Sequence, residues 1–272
     1  MSDWSTYRAT DGTLYGWYHA ETDGPCGRED AKIPLIGAMV SKNNGVRWTD
    51  LGAVIEAPKE DYNCDMQNGF FAGGLGDFSV ITDRRKQYFY FFFSNYDRHL
   101  GQQGIAAARM PYDARDNPVG QVKKWNAGTW SEPGLGGWTT PIFPALRNFR
   151  HPNPDSFWGP AIHFNTYLNG YVMLLNRTAE GDSDWFQEGI YVAYADSLAD
   201  PSHWYEPDKI MDGGDWYPQV IGMRPGETDK LSGRRSRFFM SGYSAWEIQF
   251  KKSLLSVTGP ARAEGATDVR TR

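Results

Sequence analysis

Cysteine is nearly missing from this chain: 272 residues carry two, Cys26 and Cys64. That excludes a disulfide-framed mini-scaffold and any CxxC pair for metal or redox work. Such a count fits one disulfide or two buried thiols, and the sequence leaves both open. Histidine is also scarce, at five, and no HExxH is present. A Walker A loop and a GxSxG elbow are absent too. GFFAGGLGD (residues 69–77) is rich in glycine, yet no helix with a dinucleotide fingerprint follows it. Hydride transfer and phosphoryl transfer are therefore disfavoured. Positive charge is in deficit, with 28 Lys and Arg against 33 Asp and Glu for a net −5. Without a basic stripe, nucleic acid is not an expected partner. No apolar run reaches the ~18 residues of a membrane span, so no membrane partner is expected. MSDWSTYRAT lacks the basic and apolar regions of a signal peptide. The expectation is a soluble protein.

Aromatic residues, by contrast, abound: eleven Trp, fifteen Tyr and fifteen Phe. Thirty Gly and sixteen Pro point to many short strands joined by turns rather than to long helices. The strongest internal signal is a repeat at an offset of 83 residues. GDFSVITDRRKQYFYFFFSNY (76–96) lies over GPAIHFNTYLNGYVMLLNRTA (159–179) without a gap. Each copy opens on glycine, alternates, breaks at a polar turn and enters an apolar strand. A repeat longer than a hairpin, made of hairpins, predicts a β-propeller.

Weaker copies flank this pair. DWSTYRATDGTLYGWYHAE (3–21) fits at an offset of 74, and WYPQVIG (216–222) mirrors the start of the third unit, with RFFMSGY (237–243) as its second strand. Four blades follow, near residues 3–58, 70–134, 155–212 and 213–250. The expected fold is all-β, a propeller of the five-bladed type lacking part of one blade at the N-terminus. A fifth blade within the Gly/Pro-rich stretch 134–154 is the alternative. The domain is expected over 1–253, and 254–272 as a disordered tail. SKNNGVRW (41–48) resembles the Asp-box hairpin of sialidase-like propellers, with Asn43 in the usual aspartate place. Turn chemistry explains that motif without any catalytic role.

Inner strands of a propeller start on one face, so residues at those starts converge. Asp77 sits at such a threshold, where burying a lone carboxylate costs several kcal/mol unless it is paired. Asp3 shares its register, and Asp215 precedes the fourth unit. Glu188 stands before the third strand of its blade, beside Trp185 and Phe186, where desolvation would raise its pKa toward that of a general acid. Each carboxylate also has a plain reading, a turn cap for Asp77 and a solvated strand end for Glu188. His19, Glu21, His163, Asn176 and Arg177 complete the polar set expected to bind substrate. His163 is either axial or wedged between blades. Trp158 and Trp216, each two residues before a proline, are candidates for stacking on sugar rings.

The run GDFSVITD, WGPAIHFN and EGIYVAYADSLADP, with an aromatic second strand in each blade, resembles the five-bladed propeller glycoside hydrolases. These include the arabinanases and xylosidases of family 43 and the invertase-like families. The chain is most similar to a bacterial group with a WGPxxHxNTYLxxYVMLLNR signature, present here at 158–177. The resemblance covers residues 3–250 and implies an axial funnel with a base aspartate, a pKa-tuning aspartate and a glutamate acid. By position Asp77 matches an inner-strand aspartate and Glu188 the Glu-Gly acid motif, while the first-blade aspartate would be Asp3 or a residue upstream of this chain. The chain departs from the familiar Asp-Pro at Asp3-Trp4 and Asp77-Phe78, and Ile190 follows Glu188-Gly189 in place of proline.

These readings combine into a propeller that binds carbohydrate and hydrolyses a glycosidic bond. Asp77 is its base or pKa modulator, Glu188 its acid and Asp215 a further catalytic candidate. No cofactor is expected beyond a central structural ion such as calcium, and the protein is expected to be a monomer. Related proteins are expected to be secreted or periplasmic. The rival reading is a non-catalytic carbohydrate-binding or scaffold propeller, or an inactive fragment, since fold does not imply function.

Overall fold

The computed structural model describes residues 4–23, 26–29, 31–183, 185–252 and 268–271. Among them there are only strands, turns and short 3-10 helices. The first sheet is an antiparallel meander of β1 (Trp4–Arg8), β2 (Leu14–Asp23), β3 (Lys32–Ser41) and β4 (Thr49–Ile55). The second holds β5 (Leu75–Thr82), β6 (Tyr88–Asn95), β7 (Gly104–Pro111), β8 (Lys123–Asn126) and β9 (Thr129–Pro133). β10 (Phe143–Pro144) adds to β7, so the 134–154 stretch supplies an appendage of this sheet and no sheet of its own.

The third sheet contains β11 (Ser156–Asn165), β12 (Gly170–Thr178), β13 (Gln187–Ala195) and β14 (Asp208–Asp212) in meander order. In the fourth, β15 (Gln219–Gly222) is followed by β16 (Leu231–Ser232), which leaves to pair in parallel with β11. β17 (Arg235–Met240), β18 (Tyr243–Gln249) and β19 (Asp268–Thr271) complete the fourth sheet. Of the tail expected over 254–272, residues 268–271 are thus a strand, and 254–267 and 272 lie outside the described residues. Four-stranded meanders are the blades of propellers; the four meanders begin within the four expected repeats, while β10, β16 and β19 extend their sheets from beyond those boundaries.

The chain forms two compact units, Met1–Gly159 with Thr178–Phe186, and Pro160–Arg177 with Gln187–Arg272. In the first, β6 is buried along its length, which explains why YFYFFFSN shows no polar alternation. Phe89, Phe91 and Phe93 face a core shared with Trp17, Ile36 and Val54 of the first sheet. Trp17 meets Phe89 at 4.8 Å and Phe91 at 5.6 Å between centroids. Tyr90, on the opposite face of β6, packs edge-on to Trp130. The second unit has its own core of Val172, Leu174, Ile190, Val192, Val220, Phe238 and Ile248.

Side chains close the turns. Asp83 accepts hydrogen bonds from the backbone N–H groups of Arg85, Gln87 and Tyr88 in the β5–β6 turn. Asn165 does the same for Tyr167 and Leu168 in the β11–β12 turn. In the β3–β4 hairpin Asn43 Oδ1 accepts from Arg47 N at 2.8 Å and Ser41 Oγ from Gly45 N at 2.9 Å. Asn43 therefore carries the turn bonding that the Asp-box pattern assigns to that position.

Candidate functional site

In the first unit the site is built around the start of β5. Gly76 has no room for a side chain: a Cβ there would stand 2.6 Å from His19 Cε1 and 3.1 Å from Pro34 Cβ. That close approach lays the His19 imidazole against the backbone leading into Asp77. His19 Nε2 is buried without a hydrogen-bond partner, and Glu21 is its nearest anion at 4.0 Å.

Asp77 is the extra residue of a β-bulge, since the ladder steps from Gly76–Ser94 to Phe78–Phe93. Its φ of +43° is left-handed. For a non-glycine residue that costs about 1 kcal/mol, and aspartate bears it better than most. A bulge re-aims the side chain it carries. Here the carboxylate, 6% exposed, accepts a hydrogen bond from the Tyr96 hydroxyl.

Tyr96 is itself fixed by aromatic neighbours. Phe71 stacks on its ring at 4.4 Å and Phe149 meets it edge-on at 4.9 Å. Trp185 stacks on Phe149 at 5.5 Å. Asn68 binds these pieces together: its Oδ1 accepts from Phe70 N and Phe71 N, its Nδ2 donates to Phe149 O, and its carbonyl accepts from Trp185 Nε1. The loop bearing Asn68 is anchored by a disulfide between Cys26 and Cys64, settling the pairing that the sequence left open. Trp158 belongs to this packing, 3% exposed and edge-on to Trp185, so its indole offers no open face for stacking.

A buried ionic set lies in the same unit. Asp97 and Lys124 are each 1% exposed, and Asp61 is fully buried. Lys124 Nζ donates to the carbonyls of Glu56 and Gly137. Asn95 Nδ2 donates to one Asp97 oxygen, and the other has no partner. Burial pushes the Asp97 carboxyl up to about 7, with Asp61 adding to the rise and Lys124 opposing it. Burial also pulls Lys124 down to about 8, against the pull of Asp97. Asp61 is raised by burial as well, eased by His99, whose Nε2 lies 3.5 Å away.

The second unit gathers Glu188, Tyr191, Arg177 and Lys209. Glu188 is the second residue of β13; one carboxylate oxygen is ion-paired to Lys209 and the other accepts from Tyr191 Oη at 2.8 Å. Arg177 Nη1 donates to the same hydroxyl at 3.4 Å. Hydrogen bonds from Lys209 to Glu188 and Asp212 hold its ammonium above the ordinary lysine range. Where a desolvated setting was expected, Glu188 is partly exposed and ion-paired to Lys209. Asn176 is buried, its Oδ1 accepting from Gln187 Nε2. Glu180, three residues after Arg177, pairs with Arg147.

The other expected site residues stand apart from these groups. His163 is 1% exposed, packed on Phe250 at 5.5 Å, and burial pulls its imidazole down to about 3, so it is neutral and wedged in packing. Asp215 is exposed and caps its own chain, accepting from Trp216 N at 2.8 Å. Trp216 remains exposed next to Tyr217. Asp3 lies outside the described residues.

Tyr96, Asn68, Asp61, Asp97 and Lys124 were not singled out by sequence. Asp97 alone had a usable signal, a carboxylate directly after an apolar strand. Among the described residues, no cluster of three or more His, Cys, Asp or Glu could hold a metal ion, and no helix is long and apolar enough to cross a membrane.

No protein-family model matches the chain, and no curated protein does. Solved structures do. An exo-1,5-α-L-arabinanase from a bovine ruminal metagenomic library superposes with a TM-score of 0.54 at 11% identity, over 98% of this chain and 76% of that one. A β-fructofuranosidase from Schwanniomyces occidentalis gives 0.52 at 11% identity, over 97% of this chain and 41% of its own. This chain therefore spans well under half of the fructofuranosidase. At such identity the likeness establishes the fold, which is all-β and propeller-like.

Proposed function

We propose that this protein is a glycoside hydrolase acting on a poly- or oligosaccharide, with Asp77 as base or pKa-tuning carboxylate and Glu188 as acid. The observation that carries the reading is Asp77 itself. A buried carboxylate in a left-handed bulge, accepting from the Tyr96 hydroxyl, costs stability where an asparagine or glycine would fold more easily. Backbone strain of this kind concentrates at working sites. His19 adds an unpartnered buried nitrogen next to it. The two neighbours that share the fold are named for cleaving arabinan and fructofuranosides, which makes carbohydrate the substrate class to test first. For Glu188 to deliver a proton, substrate has to draw Lys209 away from it.

The test is turnover of aryl arabinofuranosides, aryl fructofuranosides and plant and bacterial polysaccharides by the wild type, Asp77→Asn, Glu188→Gln and the double variant. Loss of a catalytic carboxylate lowers kcat by about 10²–10⁴. If the two act as a unit, the double variant is no slower than the worse single one. NMR of the released anomer distinguishes inversion from retention. A wild type that binds sugars and turns over none of them establishes the rival, a binding propeller.

A further inference from the structure

In the second unit the 213–218 loop (GGDWYP) joins β14 to β15. Its start is bonded to the Glu188 segment: Gly213 N donates to Glu188 O at 3.0 Å, and Gln187 Nε2 donates to Gly213 O at 3.5 Å. Gly214 presses on the core, where a Cβ would stand 3.0 Å from Ile190 Cγ1 and 3.2 Å from the sulfurs of Met211 and Met240. Asp215 Oδ1 accepts from Trp216 N at 2.8 Å, and Trp216 O accepts from Ser241 N at 2.6 Å in the β17–β18 turn. The backbone of Trp216 is thereby fixed on both sides.

Tyr217, the next residue, is left-handed with a φ of +58°. That conformation is costly for a bulky side chain, and Pro218 after it favours extended backbone further. The same loop has glycine at 213 and 214, where φ is +61° and +83°. A tyrosine at 217 is therefore not what the backbone alone asks for, and strain of this kind concentrates at ligand clamps. The Tyr217 ring stands at 88° to the Trp216 indole with centroids 6.4 Å apart, a corner rather than a stack. Trp216 keeps 37% of its surface exposed, whereas Trp158 is enclosed. An exposed indole in an aromatic corner suits the apolar C–H face of a sugar ring.

Charge selects the kind of sugar. The carboxylates of Asp212 and Asp215 flank the two glycines, and both are exposed. Lys209 is committed to Glu188 and Asp212, and Arg177 is engaged with the Tyr191 hydroxyl. An anionic sugar would meet like charge at this loop, while the hydroxyls of a neutral one can donate to Asp215. Trp216 lies three residues beyond Gly213, so their Cα atoms are within about 11 Å of each other. A short oligosaccharide spans that distance.

We propose that the 213–218 loop is a subsite for an uncharged oligosaccharide, with a sugar ring stacked on Trp216 against the Tyr217 ring and Asp215 accepting from its hydroxyls. The assignment rests on the glycoside hydrolase reading and narrows its substrate class to a neutral glycan. Calorimetry in the Asp77→Asn background, where the hydrolase reading removes turnover, compares arabino-, fructo-, xylo- and manno-oligosaccharides with oligogalacturonate of equal length. At least one neutral chain is expected to bind, and more tightly than the uronate at low salt. Trp216→Ala should weaken that binding about tenfold or more, and Trp216→Tyr should restore most of it. The Trp216 indole N–H signal in NMR, identified by its loss in Trp216→Tyr, should shift on titration, which reads the site without depending on how the alanine variant folds. Absence of binding by every neutral chain overturns the proposal, as does unchanged affinity in Trp216→Ala, an unmoved indole signal, or a uronate bound as tightly as the neutral chains. Binding that depends on Trp216 in a wild type that turns over no glycoside breaks the hydrolase reading and leaves the subsite standing. Turnover whose KM is unchanged by Trp216→Ala does the reverse.

Discussion

In the first unit Asp61, Asp97 and Lys124 are closed off from water, whereas in the second Glu188 and Lys209 keep part of their surface in it and Asp212 nearly all. The buried trio carries one more negative charge than positive when ionised, and several of its oxygens have no donor. Desolvation then dominates, and Asp97 and Lys124, which feel each other's charge, both shift toward their neutral forms. In the second unit water screens the pair and hydrogen bonds dominate instead, so Lys209 shifts toward its charged form. The same Lys-carboxylate chemistry thus moves in opposite directions according to burial. An ion pair seen in sequence spacing alone says nothing about which applies.

Several measurements would break or sharpen that contrast. The largest effect is expected where packing encloses the first unit's polar groups. Phe149→Ala should cost about 3–5 kcal/mol in urea unfolding. A loss below about 1 kcal/mol would mean that the aromatic clamp on Tyr96 is slack. Removing the Cys26–Cys64 bridge, as the double alanine variant, should cost about 2–4 kcal/mol by freeing the unfolded chain. If enclosure were independent of that loop, the two losses would simply add.

Proton linkage gives the next test. Asp97 titrates higher in the folded protein than when unfolded, so the folded state binds more protons and stability falls as pH rises from about 4 to about 7. Lys124 titrates lower when folded, so the folded state binds fewer protons and stability recovers as pH rises from about 8 toward 10. Unfolding free energy should therefore pass through a minimum between pH 7 and 8. Asp97→Asn should flatten the acidic side of that curve; an unchanged slope would refute the assignment.

The smallest stability effect is expected in the second unit. Lys209→Met should cost no more than about 1 kcal/mol, because the pair is partly solvated and screened.

Much of the architecture was legible. Alternation, glycine at the strand starts and the 83-residue repeat located the hairpins β5–β6 and β11–β12, because a strand pair buried on both faces has few sequences open to it. Asp77 was legible for the same reason, as a charge where the repeat calls for an apolar strand. Trp158 and His163 show the limit. Alternation named their strand and left open whether each side chain met solvent, a ligand or another sheet, and packing enclosed both.

By itself, then, the sequence determined hairpin periodicity, turn chemistry and the absence of nucleotide or metal signatures, all of which are local properties of short windows. Tertiary structure alone decided that Cys26 meets Cys64 and that Tyr96 bonds Asp77. It also decided the fate of each charge. Desolvation depends on how many neighbours crowd a group from distant parts of the chain, and Asp61, Asp97 and Lys124 come from three separate segments that only folding brings together.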